Sequence, residues 1–146
     1  MPRALPSSGT TITNWILDQF HRSQQDLNRM FKCSKSKVHF TFDIWTSPNY
    51  RAFHGGVAQW LDPNYKLQST VIGMRRFHGQ HSGENQANIF FNIIQPYDII
   101  EKIGYFTLDN ASNNGTAMQY ISQRLTELDS DFVLILLSTC YAASAT

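Results

Sequence analysis

The 146-residue chain has only two cysteines, Cys33 and Cys140, far apart and outside any C-x-x-C spacing. That argues against a zinc finger built from this chain and against a disulfide framework, and it suits a reducing intracellular compartment. Long apolar runs are also missing. The longest, from Phe132 to Leu137 and a little beyond, falls well short of the roughly 20 residues that cross a bilayer, so no membrane partner is expected. The first eight residues, Met-Pro-Arg-Ala-Leu-Pro-Ser-Ser, lack the apolar centre of a signal peptide. Charge of one sign is scarce as well: the net charge is +1, which by itself does not mark a nucleic-acid binder. The charge is unevenly placed. Residues 1–40 carry six basic residues against two acidic ones, and residues 101–146 carry two against five. The basic residues are spread out rather than clustered, which suits a solvated helix face at least as well as a phosphate-binding one.

Apolar residues make up 42% of the chain and aromatics 13%, enough for a packed core in one small domain. Residues 1–12 read as a loose Pro/Ser/Gly-rich segment, and residues 13–37 as a helical lead-in. Within it Trp15, Ile16, Phe20, Leu27, Met30 and Phe31 recur at three- and four-residue steps, with Thr13 or Asn14 as the expected N-cap. Val38 to Ile44 alternates as a half-buried strand does. Phe53 to Leu61 and Lys66 to Phe77 follow as strands, joined by an Asp62-Pro63-Asn64 turn, with Gly55-Gly56 weakening the second strand or marking a bulge. Ser82 caps an expected helix from Gly83 to Ile94, with Ala87, Phe90, Phe91 and Ile94 as its buried stripe, and Pro96 ends it. A fourth strand, Ile103 to Leu108, leads to a helix over 113–128, capped by Asn110 or Ser112, with Met118, Ile121 and Leu125 inward. Phe132 to Leu137 reads as a fifth strand.

Two carboxylates stand out. Asp43 lies in Phe42-Asp43-Ile44-Trp45-Thr46-Ser47-Pro48-Asn49, and Asp109 in Thr107-Leu108-Asp109-Asn110-Ala111-Ser112-Asn113-Asn114. Each closes an apolar, strand-like run and precedes turn or cap residues, so each is delivered to the rim of a sheet. Two carboxylates on neighbouring strands suit a divalent-metal site for phosphodiester chemistry. Each also has a plainer role open to it, Asp43 as a turn cap and Asp109 as an N-cap. Trp45 reads first as a packing anchor for the strand end, with DNA stacking as the alternative. Three antiparallel strands, a helical crossover and a strand parallel to the first form a ribonuclease H-like α/β arrangement: a mixed sheet with flanking helices. On that topology Asp43 and Asp109 come side by side.

The same residues carry a resemblance. From about Val38 to Leu125 the chain resembles the catalytic core of hAT superfamily transposases. The matching phrases are the two around Asp43 and Asp109, together with Tyr65-Lys66-Leu67-Gln68-Ser69 and His81-Ser82-Gly83-Glu84-Asn85. The resemblance implies that Asp43 and Asp109 are the first two of three catalytic acids. They would bind Mg²⁺ or Mn²⁺, weakly in the absence of the third. DNA is the implied partner, with a full-length transposase or another protein as a further one, and the nucleus the implied location. Glu84, early in its helix, either joins the metal site or simply complements the helix dipole. Arg75 and Arg76 are candidate DNA contacts, although alternation along a strand lets at most one share a face with Asp43.

The departures are as informative. The chain carries no BED-type zinc finger, no third acid and no C-terminal dimerisation region of the family, and Leu137 to Thr146 lacks the Arg- and His-containing phrase usual after the second acid. Residues 38–128 therefore read as a partial core and 129–146 as a divergent tail, produced by a frameshift, an early stop or a mis-called exon. The expectation is a transposase remnant, catalytically incomplete alone. The alternatives are a compact metal nuclease using Asp43, Asp109 and Glu84, and a non-enzymatic domesticated interaction domain. A partial core is also expected to leave one sheet face apolar and exposed, and so to fold marginally in isolation.

Overall fold

The computed structural model describes residues 8–79, 82–108 and 114–129, together with the backbone of 132–137 and 140–145. Its centre is a sheet of six strands in the order β3-β2-β1-β4-β6-β5. β1 (Val38–Thr46), β2 (Ala52–Leu61) and β3 (Leu67–Arg76) form an antiparallel meander. The first turn places Tyr50 at φ 55° and the second places Tyr65 at φ 61°. In the second turn the Asp62 carboxylate accepts from the backbone N–H groups of Asn64 and Lys66 and from Gln68 Nε2, which fixes the hairpin. α2 (Gly83–Ile94) then crosses over, and β4 (Ile103–Thr107) returns parallel to β1 with Phe40 opposite Phe106 and Thr41 opposite Thr107.

This is the expected ribonuclease H-like arrangement, a mixed sheet with flanking helices. α2 has the expected bounds: the Ser82 hydroxyl accepts from the N–H of Asn85, and a short 3₁₀ turn, Gln95–Tyr97, follows at Pro96. α3 (Asn114–Leu128) buries Met118, Ile121 and Leu125 as its spacing predicts. Its expected caps, Asn110 and Ser112, lie outside the described residues. β5 (Phe132–Leu137) is the expected fifth strand. β6 (Cys140–Ala145) was not anticipated, and it pairs antiparallel with both β4 and β5. Its Ala- and Ser-rich sequence has little strand propensity of its own, so its pairing is a tertiary effect.

The helices lie on one face of the sheet, and the core is aromatic there. Phe90 of α2 contacts Phe40, Phe42 and Phe106 at ring-centroid distances of 6.0, 4.9 and 5.3 Å, all edge-on. Gly55 and Gly56 are the hinge of this packing, one for each face. A Cβ on Gly56 would come within 2.5 Å of the Phe42 ring on the helix side; one on Gly55 would come within 2.8 Å of the Trp45 ring on the other. Each glycine makes room for an aromatic ring lying across β2. The bulge lies just beyond, where the β2–β3 register shifts between Gly56 and Val57.

Two expectations need correction. β1 does not end at Ile44 but runs to Thr46, with Trp45 opposite Phe53 and Thr46 opposite Ala52, so Asp43 sits inside the strand rather than at its tip. α1 starts earlier than expected, at Gly9, and spans 24 residues to Lys32. Its N-cap is Ser8, whose hydroxyl accepts from the N–H of Thr11, rather than Thr13 or Asn14. Only Phe31 of the apolar stripe is buried, wedged edge-on against Trp60 and Tyr97, while Leu27 packs beside it. Trp15 and Ile16 are 48% and 64% exposed, and Phe20 and Met30 are exposed too. The reason is length. At 1.5 Å per residue the helix is about 36 Å long, and the body meets only its last turns. Periodicity reported an amphipathic face, but it carried no information about what covers that face.

Candidate functional site

Asp43 lies on β1 between β2 on one side and β4 on the other. Phe42 points to the helices, so alternation sends Asp43 to the opposite face, where it is exposed. Gly55 is its partner on β2, and Met74 is the partner of Gly55 on β3. Among the described residues no helix covers this face, and Tyr105, Val71, Met74 and Trp45 are exposed on it. Asp43 makes no ion pair with a described residue, which leaves its carboxylate available as a hard oxygen donor. Asp109 lies outside the described residues. Thr107, two residues before it, is opposite Thr41, two residues before Asp43.

The other candidates separate. Arg76 lies opposite Phe53, which lies opposite Trp45, so Arg76 shares the face of Asp43. Arg75 lies opposite His54 and belongs to the helix side, where its charge acts on Tyr97. Glu84 sits in the first turn of α2, on the helix-covered side, and lines a groove with Tyr120, Arg124 and Glu127 of α3. It does not share a face with Asp43. Among the described residues, no group of three His, Cys, Asp or Glu side chains is arranged to hold a metal ion.

His54 is a residue that the motifs did not mark. It is 4% exposed on the helix side, and its Nδ1 is buried without a hydrogen-bond partner among the described residues. It lies 5.3 Å from the Phe42 ring and lines a small cavity with Gln86, Phe90 and Met118. Burial pushes its pKa down to about 4, and the negative charge of Asp43 across the sheet opposes that shift. The only sequence signal was parity: His54 falls in step with Ala58 and Trp60, the buried positions of β2.

A ribonuclease H-like sheet with an acidic residue on its central strand defines the class of domain, and comparison with known proteins supplies the family. Residues 41–132 match the family model described as the ZBED1 RNase-like domain, and the chain belongs to that family. It is 29% identical over 126 residues, 86% of its length, to a Zea mays protein named as an AC transposase. A second Zea mays protein, named as an AC9 transposase, gives the same identity over the same length. A Talaromyces stipitatus protein named as the transcriptional regulator tpeD is 27% identical over 120 residues, 82% of the chain. The chain spans only 16%, 15% and 14% of these relatives. It is thus related to hAT transposases over a short part of their length. Among the described residues no helix is long and apolar enough to cross a membrane.

Proposed function

We propose that this chain supplies the first two carboxylates, Asp43 and Asp109, of an hAT-type transposase centre that acts on DNA. The observation that carries the reading is the parallel β1–β4 register. With Thr41 opposite Thr107, each aspartate follows its paired threonine by two residues. Continuation of that register would set the two carboxylates beside each other on adjacent strands. Asp43 is exposed and unpaired among the described residues, and carboxylate oxygens are the donors that Mg²⁺ and Mn²⁺ prefer. When bound, such an ion stabilises charge on a phosphate and lowers the pKa of a bound water. The chain's own residues would hold the ion through Asp43 and Asp109 and approach the phosphate backbone through Arg76. Glu84, turned into the α2–α3 groove, serves the helix dipole instead. With only two acids the chain is expected to bind the ion weakly and to cleave little by itself. Nuclear location accompanies this reading.

The test is electron paramagnetic resonance of Mn²⁺ added to the protein, run beside a plasmid-nicking assay. Bound Mn²⁺ that disappears in Asp43→Asn and in Asp109→Asn supports the reading; equal binding by both variants would refute it. The exposed apolar stripe of α1 favours a second reading, a non-enzymatic interaction domain that binds another protein, a full-length transposase included. It predicts that partner capture survives the change of both aspartates to asparagine.

A further inference from the structure

We propose that the open sheet face beside Asp43 is a stacking platform for unpaired DNA bases, with Trp45 as the ring on which a base lies and Arg76 as a phosphate contact. The inference rests on the reading of the chain as a DNA-acting domain, but it does not require the metal site. Trp45 is two residues from Asp43 on the same strand and the same face, about 7 Å along it. Its ring lies down on Gly55, where a Cβ would stand 2.8 Å from Cζ3 and 3.0 Å from Cη2. The inner face of the indole is therefore against the sheet, and the residue is still 40% exposed. Phe53 extends the surface, with its ring 6.0 Å away and 26° from parallel. On the other side of Asp43 the same face carries a second flat pair, His39 and Tyr105, 5.1 Å apart and 19° from parallel. The His39 ring is fixed by the hydrogen bond its Nδ1 accepts from the N–H of Tyr105.

The positive charges lie at the Trp45–Phe53 end of this face, to the side of the Asp43 carboxylate. Arg76 flanks Phe53, and Arg51 follows the β1–β2 turn next to the same end of the sheet. Neither is in an ion pair with a described residue. Flat aromatic rings beside unpaired arginines suit single strands, because every unstacked base has a π-face to offer. A duplex keeps its base faces stacked inside the helix, where a platform of flat rings cannot reach them without unstacking the pairs. The platform therefore selects an unpaired strand over a duplex of the same sequence.

The experiment is fluorescence anisotropy with a labelled 15-nucleotide oligo-dT and with a 15-base-pair duplex, in EDTA and low salt, on the whole chain. The single strand is expected to bind on the order of tenfold more tightly, and Trp45→Ala to cost on the order of tenfold on the single strand with little change on the duplex. Tryptophan emission should be quenched on adding the oligonucleotide, and Trp45→Phe should remove that quenching while retaining most of the affinity. Equal binding of both DNAs, or quenching that persists in Trp45→Phe, would overturn the proposal, and the second readout holds even if Trp45→Ala fails to fold. Because no divalent ion is present, failure of the metal site leaves these results untouched. An intact metal site with no preference for single strands would remove this inference alone.

Discussion

His54 makes the stability of the domain depend on pH in a direction and amount that follow from the structure. Its ordinary pKa is 6.5, and in the fold burial lowers it to about 4. At ~1.36 kcal/mol per tenfold change, the difference corresponds to about 3 kcal/mol between the two protonation states. The sign follows from which state takes the proton first. Between pH 6.5 and pH 4 the unfolded chain protonates this histidine while the folded one does not, so stability is full above pH 6.5 and falls as the pH drops toward 4. From pH 7.5 to pH 5 the expected loss is about 2 kcal/mol, a large share of the ~5–15 kcal/mol that holds a typical domain together. Urea denaturation followed by circular dichroism at both pH values, in EDTA, measures it. His54→Leu should abolish that part of the pH dependence and cost little at pH 7.5, because it also removes a buried nitrogen that has no partner among the described residues. His39 is also held below its ordinary value by burial, but it contributes equally to both proteins and cancels. The same loss from pH 7.5 to pH 5 in wild type and His54→Leu would refute the reasoning.

Other substitutions test the packing. Phe31→Ala should cost about 3–5 kcal/mol, since its ring is fully buried against Trp60 and Tyr97, whereas Trp15→Ala, on the exposed stretch of the same helix, should stay within about 0.5 kcal/mol; thermal melts distinguish them. Gly56→Ala drives a methyl group into the Phe42 ring and should destabilise by about 1–3 kcal/mol in the same assay. Ser82→Ala removes the acceptor for the Asn85 N–H at the start of α2 and should cost about 1 kcal/mol in urea denaturation.

Much of the fold was legible because local signals agreed. Ser82, the Ala87-Phe90-Phe91-Ile94 stripe and Pro96 all marked the same helix, and the structure has it with those bounds. The alternation from Val38 to Ile44 and the order of elements together gave β1 beside a parallel β4. What stayed hidden was tertiary. The stripe of α1 has the periodicity of a buried helix, yet the helix lies beyond the core over the turns before Leu27 and Phe31, and a pattern in one helix cannot say where its neighbours stop. Gly55-Gly56 read as a weakness; the reason for the pair, two rings on two faces, needs the register of β1 against β2. Arg75 and Arg76 were separable only by parity, and the structure decides which of them shares the face of Asp43. The burial of His54 likewise followed from its place on β2, and no motif announced it.

On the proposed function, Asp43 and Asp109 share one divalent ion. Isothermal titration calorimetry with MnCl₂ on wild type, Asp43→Asn, Asp109→Asn and the double variant addresses it directly. If the two carboxylates form one site, each single variant loses nearly as much affinity as the double, and the cycle is strongly non-additive. Additive losses, or binding that survives in the double variant, would contradict it.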